Sequence, residues 1–292
     1  MRLASPIRAA WWLLPVLPLA LTGCGSHYLL LRPAGPVAES ELHLIERAAI
    51  PMGAVFLLVV VLFAIVLIRF RNHPGNRAPY DPDWGGSRKL ELMWFLIPIL
   101  ILAFIAVPMI GTTYALARVP TKDPLVIDVV SIDWKWLFEY PAQNVATVNY
   151  FEMPVGQPVL FELTAYSPMN TFWVPQLGGM EYTMPGRVLP LWLESSKAGT
   201  YQGRSANYSG AGYAKMVFDA QAVSPADFSA WVLQVQRSDG PLTAAGYQAL
   251  LKPGLTGTAT YVGFPADSFP QVKTGFTLEG GMYKVGPSGT TS

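Results

Sequence analysis

Two uncharged apolar runs constrain the fold of this chain more than any other feature. The first extends from Ala48 to Ile68 and the second from Leu92 to about Gly111. At about 1.5 Å of rise per residue, a helix of either run is long enough to cross a hydrocarbon core of about 30 Å. Pro98 and Pro108 lie inside the second run, and membrane helices tolerate proline where neighbouring helices satisfy the freed carbonyl groups. The runs predict two transmembrane helices; the alternative is a pair of buried helices in a soluble core.

The loop between the two runs indicates which way the hairpin faces. Its basic residues outnumber its acidic ones: Arg69, Arg71, Arg77, Arg88 and Lys89 stand against Asp81, Asp83 and Glu91. A basic excess in a short loop is typical of a cytoplasmic segment. Both ends of the hairpin are therefore expected on the exported side, together with everything after about Ala117.

The N-terminus has the pattern of an export signal that ends at a cysteine. Arg2 and Arg8 precede the apolar stretch Ala9 to Leu21, and Cys24, the only cysteine of the chain, closes the sequence Leu-Thr-Gly-Cys. The pattern resembles a bacterial lipobox, which implies cleavage before Cys24 and attachment of diacylglycerol and palmitate to the new N-terminus. The alternative, a membrane helix with an incidental thiol, is disfavoured because two prolines interrupt a stretch too short to span.

Composition narrows the functional classes. Hydrophobic residues make up 51% of the chain and charged residues only 13%, compared with about 25% charged residues in ordinary soluble domains. The net charge of +1 does not suggest nucleic-acid binding. With the single thiol assigned to lipid, the chain is predicted to have neither disulfides nor thiolate metal sites.

The segment after Ala117 has the alternation of β-strands. Leu125 to Ile132 is rich in branched residues, and the next strand carries an aromatic residue at every second position: Trp134, Trp136, Phe138 and Tyr140. Three further runs repeat the alternation: Val159, Phe161 and Leu163; Leu189, Leu191 and Leu193; Met216, Phe218 and Ala220. Period two places the four aromatic side chains on one face. A β-sandwich or barrel is the predicted architecture.

The last part of the chain changes character after Ser224. Ser224 and Pro225 have the N-cap and first-turn pattern of a helix, and Thr243 to Leu251 predicts a second, short one. Beyond them, aromatic residues are scattered among glycine and proline and are expected to pack on the sandwich or on a partner: Tyr261, Phe264, Phe269 and Phe276. The segment from Gly286 to Ser292 is predicted to be disordered.

Three segments of the β region together resemble a known family. They read SPMNTFWVPQLG around Asn170, then MPGR, then AGTYQGRSANYSGAGYAKM ending at Met216. They are similar to the cupredoxin domain of subunit II of the haem-copper respiratory oxidases. In the copper-binding members, the first segment supplies a histidine, and the last supplies two cysteines, a glutamate, a histidine and a methionine that hold a binuclear copper centre.

The resemblance matches each of these ligands to a position of this chain, and only the methionine is present at its position. The histidines fall on Asn170 and Tyr213, the cysteines on Ser205 and Ser209, the glutamate on Asn207, and the methionine on Met216. A copper pair needs thiolate bridges and imidazole nitrogens, so no copper is expected here. The amide, hydroxyl and phenol groups are instead expected to hydrogen-bond to one another. From the residues alone, the segment is an ordinary polar loop and Met216 a core side chain.

The glutamate position has a second role in the copper-binding relatives, where its side chain contributes to a magnesium site. Asn207 replaces it here. An amide is a poorer ligand for a hard cation than a carboxylate. Magnesium binding by Asn207 therefore does not follow from the resemblance.

Two further matches extend the resemblance. DWKWLFEY, from Asp133 to Tyr140, is similar to an aromatic strand that lies near electron entry in the cytochrome c-using branch; by periodicity alone it is sandwich core or partner interface. LELMW, from Leu90 to Trp94, is similar to the start of the family's second helix. There Glu91 would lie at the cytoplasmic mouth of a proton pathway, and the alternative is a charge that flanks the helix at the membrane surface.

The resemblance implies subunit II of a quinol oxidase of the cytochrome bo or ba type. This chain would hold no cofactor, because haems, copper and the quinol site reside in subunit I. Subunit I, subunit III and a small subunit IV are the expected partners in the bacterial cytoplasmic membrane, and cytochrome c is not. The resemblance also implies a division of the chain. A signal peptide at 1–23 and a lipid-anchored segment at 24–47 precede a membrane hairpin at 48–116, whose cytoplasmic loop lies at about 69–91. A periplasmic cupredoxin-like domain at 117–223 follows, then a helical and aromatic-rich extension at 224–285 and a tail at 286–292.

Two other functions remain open from the sequence. One is a stand-alone, membrane-anchored cupredoxin-like binding or copper-delivery module. The other is a cytochrome c oxidase subunit with a diverged copper site. The lack of thiols and imidazoles at the copper-ligand positions disfavours copper delivery.

Overall fold

The computed structural model describes residues 28–79, 82–83, 85–121, 123–269, 276–279 and 282–285. The predicted signal peptide, Cys24 and the predicted disordered tail lie outside these ranges. The described chain begins with two long helices, continues into a β domain of two packed sheets, and ends in an extension with two shorter helices. The predicted fold class, two long apolar helices followed by an all-β sandwich with helical additions, is confirmed.

Helices α1 (Pro36–Arg69) and α2 (Arg88–Leu116) form the hairpin. Both are long and apolar enough to cross a membrane, and their most apolar segments are not buried within the structure. Helix α1 begins at Pro36, whereas the sequence placed the start of the hairpin at residue 48. The reason is that its first turn packs on the β domain, where Val37 and Ala38 are buried. The helix thus starts at the surface of the domain and not at the predicted start of the apolar run.

Hydrogen bonds fix both helices to the β domain. The backbone of Ala34 donates to the carbonyl of Gln176 and accepts from Ser196, both at 2.7 Å. Gly35 passes so close to the Glu194 carbonyl that a Cβ atom would lie 1.9 Å from its oxygen. At the other end of the hairpin, the indole of Trp192 donates to the carbonyl of Leu116, the last residue of α2, at 2.6 Å.

The β domain contains two main sheets and a separate hairpin. In chain order its strands are β1 (Leu125–Ile132), β2 (Lys135–Tyr140), β3 (Val145–Val148), β4 (Tyr150–Pro154), β5 (Val159–Ser167), β6 (Asn170–Trp173), β7 (Met180–Thr183), β8 (Leu189–Leu193), β9 (Gly199–Ser205), β10 (Val217–Val223), β11 (Ala259–Val262), β12 (Phe276–Glu279) and β13 (Met282–Val285). The first sheet has the order β11-β3-β2-β1-β5-β8 and the second β4-β10-β9-β6-β7, while β12 pairs with β13. Most pairings are antiparallel, but β1–β5 and β4–β10 are parallel.

Aromatic side chains fill the space between the two sheets. Phe172 and Phe218 stack at 4.9 Å between ring centroids, and Trp136 meets both edge-on at 5.6 and 5.3 Å. Such pairs contribute about 0.5–1.5 kcal/mol each beyond the area they bury. Gly203 lies directly against the Phe218 ring, where a Cβ atom would come within 2.1 Å of ring carbons.

The predicted aromatic strand is core for three of its four residues. Trp136, Phe138 and Tyr140 are fully buried in the main core. Trp134 does not lie on the strand: it occupies the turn before β2 with a φ of 64°. The intervening residues of β2 are buried as well, so both faces of this strand are covered.

The C-terminal extension covers the second face of β2. Helix α3 (Pro225–Ser238) is capped by the Ser224 hydroxyl, which accepts from the backbone of Asp227, and α4 (Ala244–Leu250) is capped in the same way by Thr243. Both predicted helices are confirmed. Helix α4 and the segment after it form a second hydrophobic cluster with the outer face of the first sheet: Val130, Ile132, Leu137, Ala146, Val148, Leu242 and Tyr247, with Tyr261, Phe264 and Phe269 packed against them.

Replacing Lys135 with methionine is expected to loosen α4. The buried ammonium group of Lys135 donates to the carbonyls of Leu250 and Lys252 at 3.0 and 2.6 Å, and hydrogen bonds from a charged group contribute about 1.5–3 kcal/mol. Hydrogen–deuterium exchange of residues 244–252 should accelerate strongly in Lys135→Met. The matched control is Lys215→Met, which removes an exposed lysine. Equal exchange in the two variants would contradict this role of Lys135.

Candidate functional site

The six positions that the sequence resemblance matched to copper ligands lie together at one end of the second sheet. Asn170 is the first residue of β6 and Ser205 the last residue of β9. These two strands pair directly, with Phe172 opposite Ser205. Asn207, Ser209, Tyr213 and Met216 lie in the segment 206–216, which leads from β9 into β10. We call this segment the ligand loop.

Hydrogen bonds close the space between Asn170 and Ser205. The Ser205 hydroxyl lies 3.1 Å from Asn170 Oδ1 and 3.2 Å from the Asn207 carbonyl, so its proton is within reach of either acceptor. The Asn207 amide donates to the carbonyl of Met169 at 3.2 Å. Asn170 and Ser205 are both buried. The two positions that the sequence resemblance matched to a histidine and a cysteine are thus joined by a direct side-chain contact.

Two residues missed from the sequence complete this network. The Asn170 amide donates to the Pro168 carbonyl at 3.1 Å and approaches the Ser131 hydroxyl at 3.5 Å. Ser131 in turn hydrogen-bonds to the Thr183 hydroxyl at 2.7 Å, and both hydroxyls are buried. Because Ser131 belongs to the first sheet and Thr183 to the second, the network links the sheets. A sequence signal was present: Ser131 interrupts the apolar core face that Ile127 and Val129 begin.

The remaining loop positions do not join the network. The Ser209 hydroxyl is buried and has no hydrogen-bond partner within the described ranges. The Tyr213 ring packs edge-on against Tyr208, with 5.7 Å between their centroids. The Met216 side chain is buried in the main core. The expected mutual hydrogen bonding therefore holds for Asn170 and Ser205, but it does not extend to Ser209 and Tyr213.

Trp134 holds the ligand loop in place. Its indole nitrogen donates to the Ser209 carbonyl at 3.1 Å. A Cβ atom at Gly212 would lie 2.2 Å from the indole ring, and one at Gly210 would lie 3.1 Å from it. The loop can approach the ring this closely only because glycine occupies both positions.

The donor set of the loop does not fit a copper pair. It consists of amides, hydroxyls, a phenol and one thioether, none of which replaces a bridging thiolate or an imidazole. Within the part of the chain that the structure describes, no group of three or more His, Cys, Asp and Glu residues could hold a metal ion.

Glu91 lies far from the ligand loop. It is exposed in the first turn of α2, where its backbone amide donates to the Ser87 carbonyl at 2.9 Å. The β domain follows the opposite end of this 29-residue helix, which is roughly 40 Å long. A carboxylate near a helix N-terminus is favoured by the helix dipole. Glu91 and the start of the β domain are thus at opposite ends of α2.

Comparison with known proteins identifies the family. The family described as cytochrome c oxidase subunit II, transmembrane domain, matches residues 25–111. Quinol oxidase subunit 2 of Bacillus cereus is 40% identical over 262 residues, which cover 87% of this chain and 90% of the relative. The chain belongs to the quinol oxidase subunit 2 family. Cytochrome bo(3) ubiquinol oxidase subunit 2 of Pseudomonas putida is 40% identical over 241 residues, covering 80% of this chain and 75% of that protein.

A solved structure is also similar to part of the chain. The periplasmic domain of subunit II of cytochrome oxidase from Bradyrhizobium japonicum matches 40% of this chain and 95% of that domain, with a TM-score of 0.38 and 23% sequence identity. Family membership itself rests on the quinol oxidase relatives. This membership confirms the resemblance drawn from the sequence. The chain is a membrane protein with two transmembrane helices, and it is a subunit of a quinol oxidase complex.

Replacing Gly212 with alanine is expected to displace the ligand loop from Trp134. The added methyl group would overlap the indole ring, and overpacking of this kind costs about 1–3 kcal/mol. The free energy of unfolding of Gly212→Ala should fall by this amount, measured by denaturant titration. Gly257→Ala is the matched control, because no atom lies within 4 Å of a Cβ at Gly257. Equal stability of the two variants would show that the loop does not depend on this contact.

Proposed function

We propose that this quinol oxidase subunit has no redox centre and serves as a structural and proton-entry subunit. The observation that carries the proposal is the contact between Asn170 and Ser205. In the copper-binding members the same positions hold metal ligands, whereas here their side chains bond to each other and to the loop backbone. Without a metal at this loop, the subunit has no acceptor for electrons from cytochrome c. Quinol would then deliver electrons directly to subunit I, which would contain the haems and the copper.

The proposed structural role is supported by the two helices. Many of their apolar side chains face outward: Phe56, Leu57, Phe63, Phe95, Leu100 and Phe104 are among the most exposed. In a bilayer this surface must contact lipid or other helices. We infer that it packs in part on subunit I, with subunit III and a small subunit IV completing the complex. The Trp192–Leu116 and Ala34 contacts would hold the β domain at a defined position above that interface.

The proposed orientation follows from the charges of the loop and from the lipobox. Arg69, Arg71 and Arg77 mark the loop between the helices as cytoplasmic. The β domain would then lie in the periplasm or its equivalent, and lipid on Cys24 would anchor the N-terminus to the same side of the bacterial cytoplasmic membrane.

The proposed proton-entry role belongs to Glu91. It is exposed at the start of α2, on the side that the basic loop assigns to the cytoplasm. A carboxylate there could accept a proton from water and pass it towards subunit I. The alternative is a structural charge that flanks the helix N-terminus.

The proposed electron donor is tested by oxygen uptake of the purified complex. Uptake should be sustained by quinol and should not be sustained by reduced cytochrome c. Copper analysis of this subunit, separated from the complex, should find less than one copper per chain. Activity with cytochrome c, together with copper in the separated subunit, would instead identify a cytochrome c oxidase with a diverged site. Extraction of the chain alone, without haem, would identify a stand-alone module.

The role of Glu91 is tested by Glu91→Gln in the assembled complex. Glutamine keeps the size of the side chain and removes the proton-binding group, so proton uptake from the cytoplasmic side and the coupled oxygen consumption should both slow. Asp83→Asn, a neutralised carboxylate in the exposed loop before α2, is the matched control and should retain the parent rate. Unchanged proton-coupled turnover in Glu91→Gln would leave Glu91 as a charge that flanks the helix.

A further inference from the structure

Three carboxyl groups form a row across the outer face of the first sheet. Asp128 on β1 lies opposite Glu139 on β2 and opposite Glu162 on β5. Residues in register on neighbouring strands are about 5 Å apart and point to the same face. We call these three residues the acid row. Three ionised carboxylates at this spacing would repel one another, so the row requires something that neutralises it.

Glu139, at one end of the acid row, is enclosed. It has no exposed surface, and neither of its carboxylate oxygens has a hydrogen-bond partner among the residues that the structure describes. Two hydroxyl groups close to Glu139 already donate to backbone carbonyls: Tyr247 to Ser268 at 2.7 Å and Ser268 to Pro265 at 2.6 Å. An ionised carboxylate in this enclosed position would lose its hydration without gaining a hydrogen bond or an ion pair.

No described cation neutralises Glu139. The nearest basic residue on the same face of β2, Lys135, donates to the carbonyls of Leu250 and Lys252. The described residues include no ion pair with any member of the acid row, and no cluster that could hold a metal ion. Because the C-terminal extension covers Glu139, a side chain of a partner subunit could not reach it either. With no cation provided by the residues that the structure describes, the neutralising group that we assign to Glu139 is a proton.

We propose that the acid row is a proton-binding site, in which Glu139 holds a proton at neutral pH and Asp128 and Glu162 extend the site towards solvent. Asp128 and Glu162 are half-buried and so remain in contact with water. A proton released from Glu139 would pass to the neighbouring carboxylate of Asp128 and from there to Glu162 or to water. The row would thus link a buried acid to the surface of the domain.

The electrostatics of the row agree with this assignment. Burial raises the pKa of Glu139 to about 8; the nearby Ser268 hydroxyl lowers it, and the charge of Asp128 raises it further. Burial and the charge of Glu162 raise the pKa of Asp128 to about 7, and burial raises the pKa of Glu162. The other titratable groups around this face are Lys135 on β2, Tyr166 on β5, Tyr247 on α4, Tyr261 on β11, and Asp267.

Protonation of Glu139 affects how firmly the C-terminal extension is held on the first sheet. The pKa of Glu139 is higher in the folded chain than the ordinary value of 4.5, so the folded state binds more protons than the opened one. The stability that this proton binding gives to the closed extension is fully present below pH 4.5 and is lost as the pH rises through about 8. Between these limits, the equilibrium for opening the extension over Glu139 should change by up to about tenfold per pH unit.

Infrared spectroscopy of the purified oxidase complex tests the proposal. At pH 7, the spectrum of the parent complex minus that of Glu139→Gln should contain the C=O stretch of a protonated carboxyl group, and the band should titrate away with a midpoint near pH 8. Asp128→Asn removes the neighbouring negative charge, so the same band should titrate with a lower midpoint. The matched control is Asp219→Asn, which neutralises an exposed carboxylate on β10 and should leave the band unchanged.

Two results would overturn the proposal. One is the absence of a protonated carboxyl band at pH 7 from the parent-minus-Glu139→Gln spectrum. The other, which applies even if Glu139→Gln fails to assemble, is a protonated-carboxyl band that titrates near pH 8 in the parent and keeps the same midpoint in the Asp128→Asn complex. Hydrogen exchange of residues 244–269 gives an independent readout: the parent should lose protection relative to Glu139→Gln as the pH rises to about 8, and a constant ratio would count against the proposal. None of these results depends on the electron donor of the oxidase.

Discussion

The burial of β2 on both faces is the interaction on which the rest of the structure depends. Trp136, Phe138 and Tyr140 point into the core between the sheets, while Leu137 and Glu139 point into the second cluster beneath the C-terminal extension. Burying a large apolar side chain contributes about 1.5–3 kcal/mol, and β2 buries such side chains in both clusters. The strand therefore connects the two hydrophobic cores. Both proposed sites of the β domain are attached to it, the ligand loop through Trp134 and the acid row through Glu139.

The ligand loop shows how buried polar side chains at the end of a sheet can support one another. A buried polar group is costly unless it has a hydrogen-bond partner. The Asn170, Ser205, Ser131 and Thr183 side chains provide partners for one another across the two sheets. Backbone bonds also close the loop, including one from the Ser205 amide to the Met216 carbonyl at 3.1 Å. The loop geometry therefore has internal support that does not involve a metal.

Much of the fold could be predicted from local patterns, because these patterns depend on neighbours in sequence. The two apolar runs predicted the helices through their length and lack of charge, and Ser224 predicted the cap of α3. The start of α1 at Pro36 could not be predicted, because it depends on packing against the distant Glu194 carbonyl and the buried positions of the β domain. The displacement of Trp134 into a turn likewise depends on its contact with the ligand loop.

The sequence by itself determined the membrane hairpin, the β class of the domain and the family, because charge, periodicity and ordered motifs are properties of the linear chain. It also determined which chemical groups stand at the copper-ligand positions. Only the tertiary structure decided which of these groups meet, since Asn170 reaches Ser131 and Ser205 through strand pairing and sheet packing. The acid row is likewise a result of register: Asp128, Glu139 and Glu162 are unremarkable in sequence, and pairing of β1 with both neighbours aligns them on one face.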